Sequence, residues 1–145
     1  RPKILINMPF KEQWHMPGGL SYSAHFIEDA GAYYPWDTLQ KTNSTPLDWE
    51  LVYQKAFDSD FWINTGAYSS YVEVRRELPD MDLFEAFRHK RAFNNNARMN
   101  DFGGNDYWES GLLHVDDILS DLIVIFHPEI VPNRELKYYK PLADE

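Results

Sequence analysis

Aromatic rings, a thioether, amides and a single guanidinium mark the segments of this sequence that could meet a ligand. Residues 8–31 read MPFKEQWHMPGGLSYSAHFIEDAG and carry Phe10, Trp14 and Met16 ahead of Gly18-Gly19. A second segment, 67–71, carries Tyr68 and Tyr71, and a third, 94–108, carries Arg98, Tyr107 and Trp108 among several asparagines. Rings and Met16 would form apolar walls while amides and Arg98 fix orientation. That combination suits a large, flat, partly apolar ligand better than a small ion. The candidate ligand-binding set is therefore Phe10, Trp14, Met16, Tyr68, Arg98, Tyr107 and Trp108. Trp14 is expected to be a half-exposed indole; the competing reading is that Trp14 and Met16 cap the core.

Covalent and acid–base chemistry is poorly provided for. The dinucleotide fingerprint G-x-G-x-x-G is missing after the first strand, as is G-x-x-x-x-G-K-[ST], and Gly18-Gly19 alone is a weak phosphate signal. No serine stands in a G-x-S-x-G elbow, and the five histidines do not form H-E-x-x-H. His25 and Glu28 share a helix face and could hold a metal, but an exposed pair is the simpler reading. His127, just before Pro128, suits a helix end and its dipole. The acids of 101–109 lack the alternating spacing of an EF-hand, and Asp116-Asp117 reads as a solvated helix start. There are no cysteines, which excludes disulfides, thiol catalysis and cysteine metal sites. The chain is not expected to be an enzyme or to carry a resident cofactor or metal.

The elements that must position these side chains alternate between strand and helix. Lys3 to Asn7 is a short β-branched run, read as a buried strand. A helix follows from Leu20 or Ser21 and stops at Gly31, a C′ glycine. Residues 32–36 read as a second strand ended by Pro35. Ser44 or Thr45 caps a helix with Pro46 at its first position. Residues 61–64 form a third strand, Ser69 or Ser70 caps a helix to about Leu78, and 81–87 is a short helix. Residues 91–94 form a fourth strand, and a helical turn begins at Asp106. The strongest helix is 115–126, where Ile118, Leu119, Leu122, Ile123 and Phe126 recur at helical spacing. The tail, 135–142, is ambiguous. This alternation predicts an α/β fold: one domain over 1–145, three layers α/β/α, with a mostly parallel, doubly wound sheet of about four to five strands. Loops after parallel strands open at one edge, where ligands bind.

Composition narrows the partners. With 145 residues the chain can bury roughly 70% of its unfolded surface, and its 43% hydrophobic content argues against disorder. Fourteen basic against 23 acidic side chains give a formal charge of −9. That charge argues against nucleic acid and against an anionic membrane surface. No apolar run is long enough to span a bilayer, and no signal peptide is visible. Arg1 in place of Met, two residues before a core strand, reads as a segment of a longer chain.

The order of the motifs resembles the C-terminal lobe of ABC-transporter substrate-binding proteins of the iron-siderophore, haem and vitamin B12 type. The residues that carry it are Lys3-Ile4-Leu5-Ile6-Asn7, Trp14-x-Met16-Pro17-Gly18-Gly19-x-Ser21-Tyr22 and Asp29-Ala30-Gly31-Ala32. They continue with Ser44-Thr45-Pro46-Leu47-Asp48-Trp49-Glu50, Ala56 and Asp60-Phe61-Trp62-Ile63. Phe84-x-Ala86-Phe87-x-x-x-Arg91-Ala92-Phe93-Asn94 and Leu119-x-Asp121-Leu122-x-x-x-Phe126-His127-Pro128-Glu129 complete the series. The resemblance spans nearly the whole chain but only half of such a protein. It implies a partner N-terminal lobe, a ferric siderophore, haem or cobalamin held between lobes, and a periplasmic or cell-envelope location, often with a lipid anchor. It also implies an ABC permease as partner, met by Glu50 from the start of the helix after the second strand. The alternatives are a nucleotide- or metal-dependent enzyme domain on a doubly wound sheet, and a protein-interaction domain.

Overall fold

The computed structural model describes residues 1–99, 104–109, 111–130 and 134–145. Its elements run β1 (Ile4–Ile6), β2 (Pro9–Phe10), β3 (Gln13–Met16), α1 (Tyr22–Asp29), β4 (Thr45–Asp48), α2 (Trp49–Ala56), β5 (Phe61–Ile63) and α3 (Tyr71–Glu77). A 3-10 turn at Pro79–Leu83, α4 (Glu85–Arg88), β6 (Ala92–Asn94), α5 (Asp106–Glu109), a second 3-10 turn at Gly111–Leu113, α6 (Val115–Phe126) and β7 (Lys140–Pro141) follow. The main sheet has the order β1-β5-β6-β7. β1 and β6 both lie parallel to β5, with Ile4 opposite Phe61 and Trp62 opposite Ala92, while β7 closes the edge antiparallel. Helices flank this mostly parallel sheet in three α/β/α layers, as the alternation of strand and helix predicts.

The layers follow from the side-chain period of two in β5. Phe61 meets Phe126 of α6 at 5.7 Å between ring centres. Trp62, one residue on, meets Phe87 of α4 at 6.3 Å, and Phe87 meets Tyr71 of α3 at 5.5 Å. Ile4, Leu5 and Ile6 are all buried, which is why β1 reads as a continuous apolar run. The Ser21 hydroxyl accepts the Ala24 N–H at 3.2 Å and caps α1. The far end of α1 is fixed by Gly31, at φ +78°, and by His127 Nε2, 2.9 Å from the Ala30 carbonyl. His127 therefore joins the ends of α6 and α1, beyond any general dipole effect.

Four local expectations give way. Residues 32–36 form no strand: Tyr33 makes a single parallel bridge to Lys3, and the chain then turns, with the Asp37 N–H donating to the Tyr34 carbonyl at 3.1 Å. The aromatic stretch after β1 is a hairpin, β2–β3, which pairs with β4 in a second, three-stranded antiparallel sheet. Thr45–Asp48 is the edge strand of that sheet instead of a helix start. Pro46, which has no N–H, is tolerated at an edge. α2 begins only at Trp49, whose N–H donates to the Glu12 carbonyl of the hairpin turn at 3.1 Å. Tertiary contact thus sets that helix start, three residues later than local capping signals imply. Residues 81–87 divide into the 3-10 turn and α4.

The Gly18-Gly19 pair is enclosed by backbone. Its N–H groups donate to the Asn43 carbonyl at 3.1 Å and the Leu39 carbonyl at 2.8 Å. A Cβ on Gly19 would be driven into the Asp37 carbonyl, and one on Gly18 into that of Lys41. These amides hold the 37–43 loop and are not presented to a phosphate. Gly19→Ala is expected to cost about 1–3 kcal/mol, the range of an overpacked core, read as a lower urea midpoint.

Candidate functional site

β1, β5 and β6 are parallel, so their carboxyl ends share one edge of the sheet, and each is followed or ended by asparagine: Asn7, Asn64 and Asn94. Asn7 and Asn64 adopt φ +69° and +57°, the left-handed region that asparagine tolerates better than most residues. Asn94 donates through Nδ2 to the carbonyls of Gly66, at 2.8 Å, and Tyr68, at 3.2 Å, and accepts the Asn95 N–H at 2.9 Å. Asn96 Nδ2 reaches Ser69 Oγ at 3.2 Å. The loops after β5 and β6 are thereby tied into one surface. Asn96 Oδ1 is buried and has no partner among the described residues, an uncommon state for a polar atom.

The C-terminal segment crosses this surface. Tyr139, fully buried, donates its hydroxyl to Asn64 Oδ1 at 2.7 Å and packs edge-on against Tyr107 at 5.9 Å. The Tyr138 carbonyl accepts the Ala97 N–H at 3.1 Å, and the Arg98 guanidinium lies 5.4 Å from the Tyr138 ring centre. Burial raises the pKa of Tyr139 well above its ordinary value and raises that of Tyr107 as well. Both phenols therefore stay neutral at physiological pH.

Of the candidate ligand residues, Tyr68, Arg98, Tyr107 and Trp108 gather at the β5 and β6 loops. Trp108 is 61% exposed and stands edge-on to Tyr107 at 4.7 Å. Tyr68 is half-buried; its hydroxyl reaches Glu77 at 3.3 Å, and desolvation and that carboxylate raise its pKa. Tyr107 is buried and acts from beneath Trp108 instead of facing solvent. Phe10 is exposed at the hairpin turn, with Lys11 Nζ 5.4 Å from its ring centre. Trp14 is not the half-exposed indole expected and Met16 offers no open apolar wall: both have 0% of their surface accessible. The alternation of β3 turns both inward. There the Trp14 indole donates to the Ile6 carbonyl at 2.9 Å and its ring lies 5.6 Å from Phe84.

Glu50 is exposed in the first turn of α2. It lines an open cleft of about 640 Å³ with Lys11, Glu12, Asp48, Glu77 and Asp80. Five carboxylates surround one ammonium there, so the cleft favours cations. Among the described residues, no three His, Asp or Glu side chains are grouped to hold a metal ion. His25 is exposed. Asp101, in the acidic run 101–109, lies outside the described residues.

Sequence reasoning missed Asn64, Asp121 and Tyr139. One signal was present for Asp121: it stands three residues after Ile118 and four before Ile125, on the buried face of α6. Nothing local marks Tyr139, whose partner is 75 positions away.

Trp14→Ala should destabilise the fold by about 3–5 kcal/mol, as for other buried aromatics. Trp14→Phe, which keeps a ring and loses the N–H donor, should cost about 1–3 kcal/mol. Denaturant unfolding followed by circular dichroism separates the two. Alkaline pH supplies a second test. The buried phenols of Tyr34, Tyr107 and Tyr139 are raised from 10.0 by desolvation, so the unfolded chain releases protons that the folded chain retains. Stability should be fully present below about pH 10 and fall as pH rises beyond it. The phenolate absorbance of these residues should appear together with unfolding.

No family model matches the chain. Over 141 residues it is 26% identical to an uncharacterized lipoprotein of Methanocaldococcus jannaschii, a match that covers 95% of this chain and 32% of that protein. The chain therefore spans about a third of the length of the relative it matches.

Proposed function

We propose that this chain is one α/β lobe of a two-lobed, envelope-anchored substrate-binding protein that delivers a ferric siderophore, haem or cobalamin-type ligand to an ABC permease. The observation that carries this reading is the joining of the β5 and β6 loops at the carboxyl edge, where Trp108 is exposed and Asn96 Oδ1 lacks a partner among the described residues. An exposed indole offers a flat apolar face, and an orphaned amide oxygen is a place for a ligand donor. The ordered motifs from Lys3-Ile4-Leu5-Ile6-Asn7 to Phe126-His127-Pro128-Glu129 support the same reading. A relative named as a lipoprotein supports attachment at the cell envelope, and its greater length leaves room for a second lobe. Ligand contact in this reading moves to Tyr68, Arg98 and Trp108, with Phe10 at the hairpin.

Glu50 is the permease contact in this proposal. Its neighbours Glu12, Asp48, Glu77 and Asp80 add negative potential that draws in a cationic partner surface. A guanidinium on the permease would form a charge-assisted pair with Glu50.

The test uses the longer, two-lobed protein. Tryptophan fluorescence is titrated with haem, cyanocobalamin and a ferric hydroxamate, and binding to the reconstituted permease is measured in vesicles at two salt concentrations. One of the three ligands should bind, and Trp108→Ala should weaken it by about 2 kcal/mol or more, as expected of a binding aromatic. Glu50→Arg should leave ligand affinity intact and abolish docking. Binding of none of the three would end the metal-chelate reading. Unchanged docking by Glu50→Arg would show that Glu50 is only a helix-end charge.

A further inference from the structure

We infer that Asp121 is the positioning residue of the candidate site: one buried carboxylate holds the C-terminal segment so that it orders both loops at the carboxyl edge. This rests on the reading of that edge as the ligand-binding surface. Asp121 is 0% exposed in the middle of α6. Its carboxylate accepts three consecutive backbone N–H groups. The Lys137 N–H lies 3.0 Å from both oxygens, and those of Tyr138 and Tyr139 lie 2.7 and 3.0 Å from Oδ2. An acid is otherwise a costly occupant of an apolar helix face. Here backbone dipoles converge on it, and hydrogen bonds to a charged acceptor are among the stronger ones.

The held segment acts in two directions. Tyr139 passes the constraint to Asn64 through its hydroxyl, and so to the left-handed turn that opens the β5 loop. Tyr138 passes it to the β6 loop through its carbonyl, which accepts the Ala97 N–H, and through its ring beneath Arg98. Tyr107 packs on Tyr139 and carries Trp108. Arg98, Tyr107 and Trp108 therefore take their places from a carboxylate whose described hydrogen bonds go to the backbone of 137–139. The same three N–H bonds aim the segment into β7, where Lys140 and Pro141 pair with Asn94 and Phe93. A residue that served only to fill the core would not distinguish these loops from the rest of the fold.

Hydrogen exchange on the 145-residue chain, without ligand, tests this. Asp121→Asn keeps the shape but removes the charge that the three N–H groups converge on and sets an NH2 donor against the Lys137 N–H at the Oδ1 position. Exchange in 64–69, 94–99 and 134–143 should rise at least about tenfold, while β1 and α1 keep their protection. Tyr139→Phe should speed 64–69 alone and leave 134–143 protected. A uniform rise that includes β1 and α1, or a rise confined to 134–143, would overturn the inference. Should Asp121→Asn yield no folded protein, Tyr139→Phe decides: unchanged exchange in 64–69 overturns it equally. Affinity is a separate readout. If Tyr139→Phe loosens 64–69 and the two-lobed protein still binds haem, cyanocobalamin or ferric hydroxamate at wild-type strength, the positioning stands and the binding reading of this edge fails.

Discussion

Two indole N–H groups close the end of β1, and the two sheets depend on them. Trp62, from the neighbouring strand β5, donates to the Asn7 carbonyl at 2.6 Å, and Trp14, from the hairpin, donates to the Ile6 carbonyl at 2.9 Å. Asn7 lies between these demands in the left-handed region. Its N–H donates to the Ile63 carbonyl at 3.0 Å and its Nδ2 to the His15 carbonyl at 3.1 Å. Buried backbone carbonyls left without donors are expensive. Here the main sheet and the hairpin each supply one donor, so neither sheet is complete without the other.

This clamp accounts for the displacement of the candidate site. In an open parallel sheet ligands bind outside the carboxyl ends of the strands. At β1 that place is taken by the protein's own hairpin, tied down through Trp14 and Asn7. The ends of β5 and β6 carry loops instead. Those loops are held by asparagine amides and by a tyrosine strap, leaving Trp108 and Arg98 at the surface. An aromatic in the loop after the first strand thus supports the fold, and one after β6 is available for recognition.

Periodicity made the main sheet and its strongest helix legible. Ile4–Ile6, Phe61–Ile63 and Ala92-Phe93 are short apolar runs bounded by polar residues, and Val115–Phe126 keeps a helical repeat to its last residue. Ser21 and Ser70 cap their helices as their types imply. The hairpin was hidden because its turn is Lys11-Glu12, both at positive φ (+50° and +67°), where Asn-Gly or Asp-Gly is the recognisable signal. β4 was hidden because Thr45-Pro46 is also a helix-start pattern, and only pairing with β3 decides between the two. Burial of Trp14 followed from a strand period over four residues, too short to read against a loop rich in Pro and Gly. Among the candidate site residues, Tyr68, Arg98 and Trp108 lie beyond strands that were legible in the sequence. Asp121 and Tyr139 act across 17 and 18 or 75 positions, separations that no local pattern records.

The two candidate surfaces differ in the range over which they act. The carboxyl edge is built from neutral amides and rings, with Arg98 packed over Tyr138, so recognition there depends on contact geometry at hydrogen-bond distance. The cleft around Glu50 concentrates five of the chain's 23 acidic side chains beside one lysine, so its field extends into solvent and is screened over about 8 Å at physiological salt. On the binding-lobe reading this division has a purpose. A docking surface must find a partner at a distance and release it, for which a screened field is suited. A ligand surface must discriminate among shapes, for which pre-ordered short-range contacts are suited. The strap and the asparagine ties supply that order before any ligand arrives. They lie just after β5, on β6 and its loop, on α6 and in the segment before β7, whereas Glu50 belongs to α2, behind the hairpin carbonyl that starts that helix. Among the described residues the two surfaces meet where the Tyr68 hydroxyl donates to Glu77, which lines the Glu50 cleft.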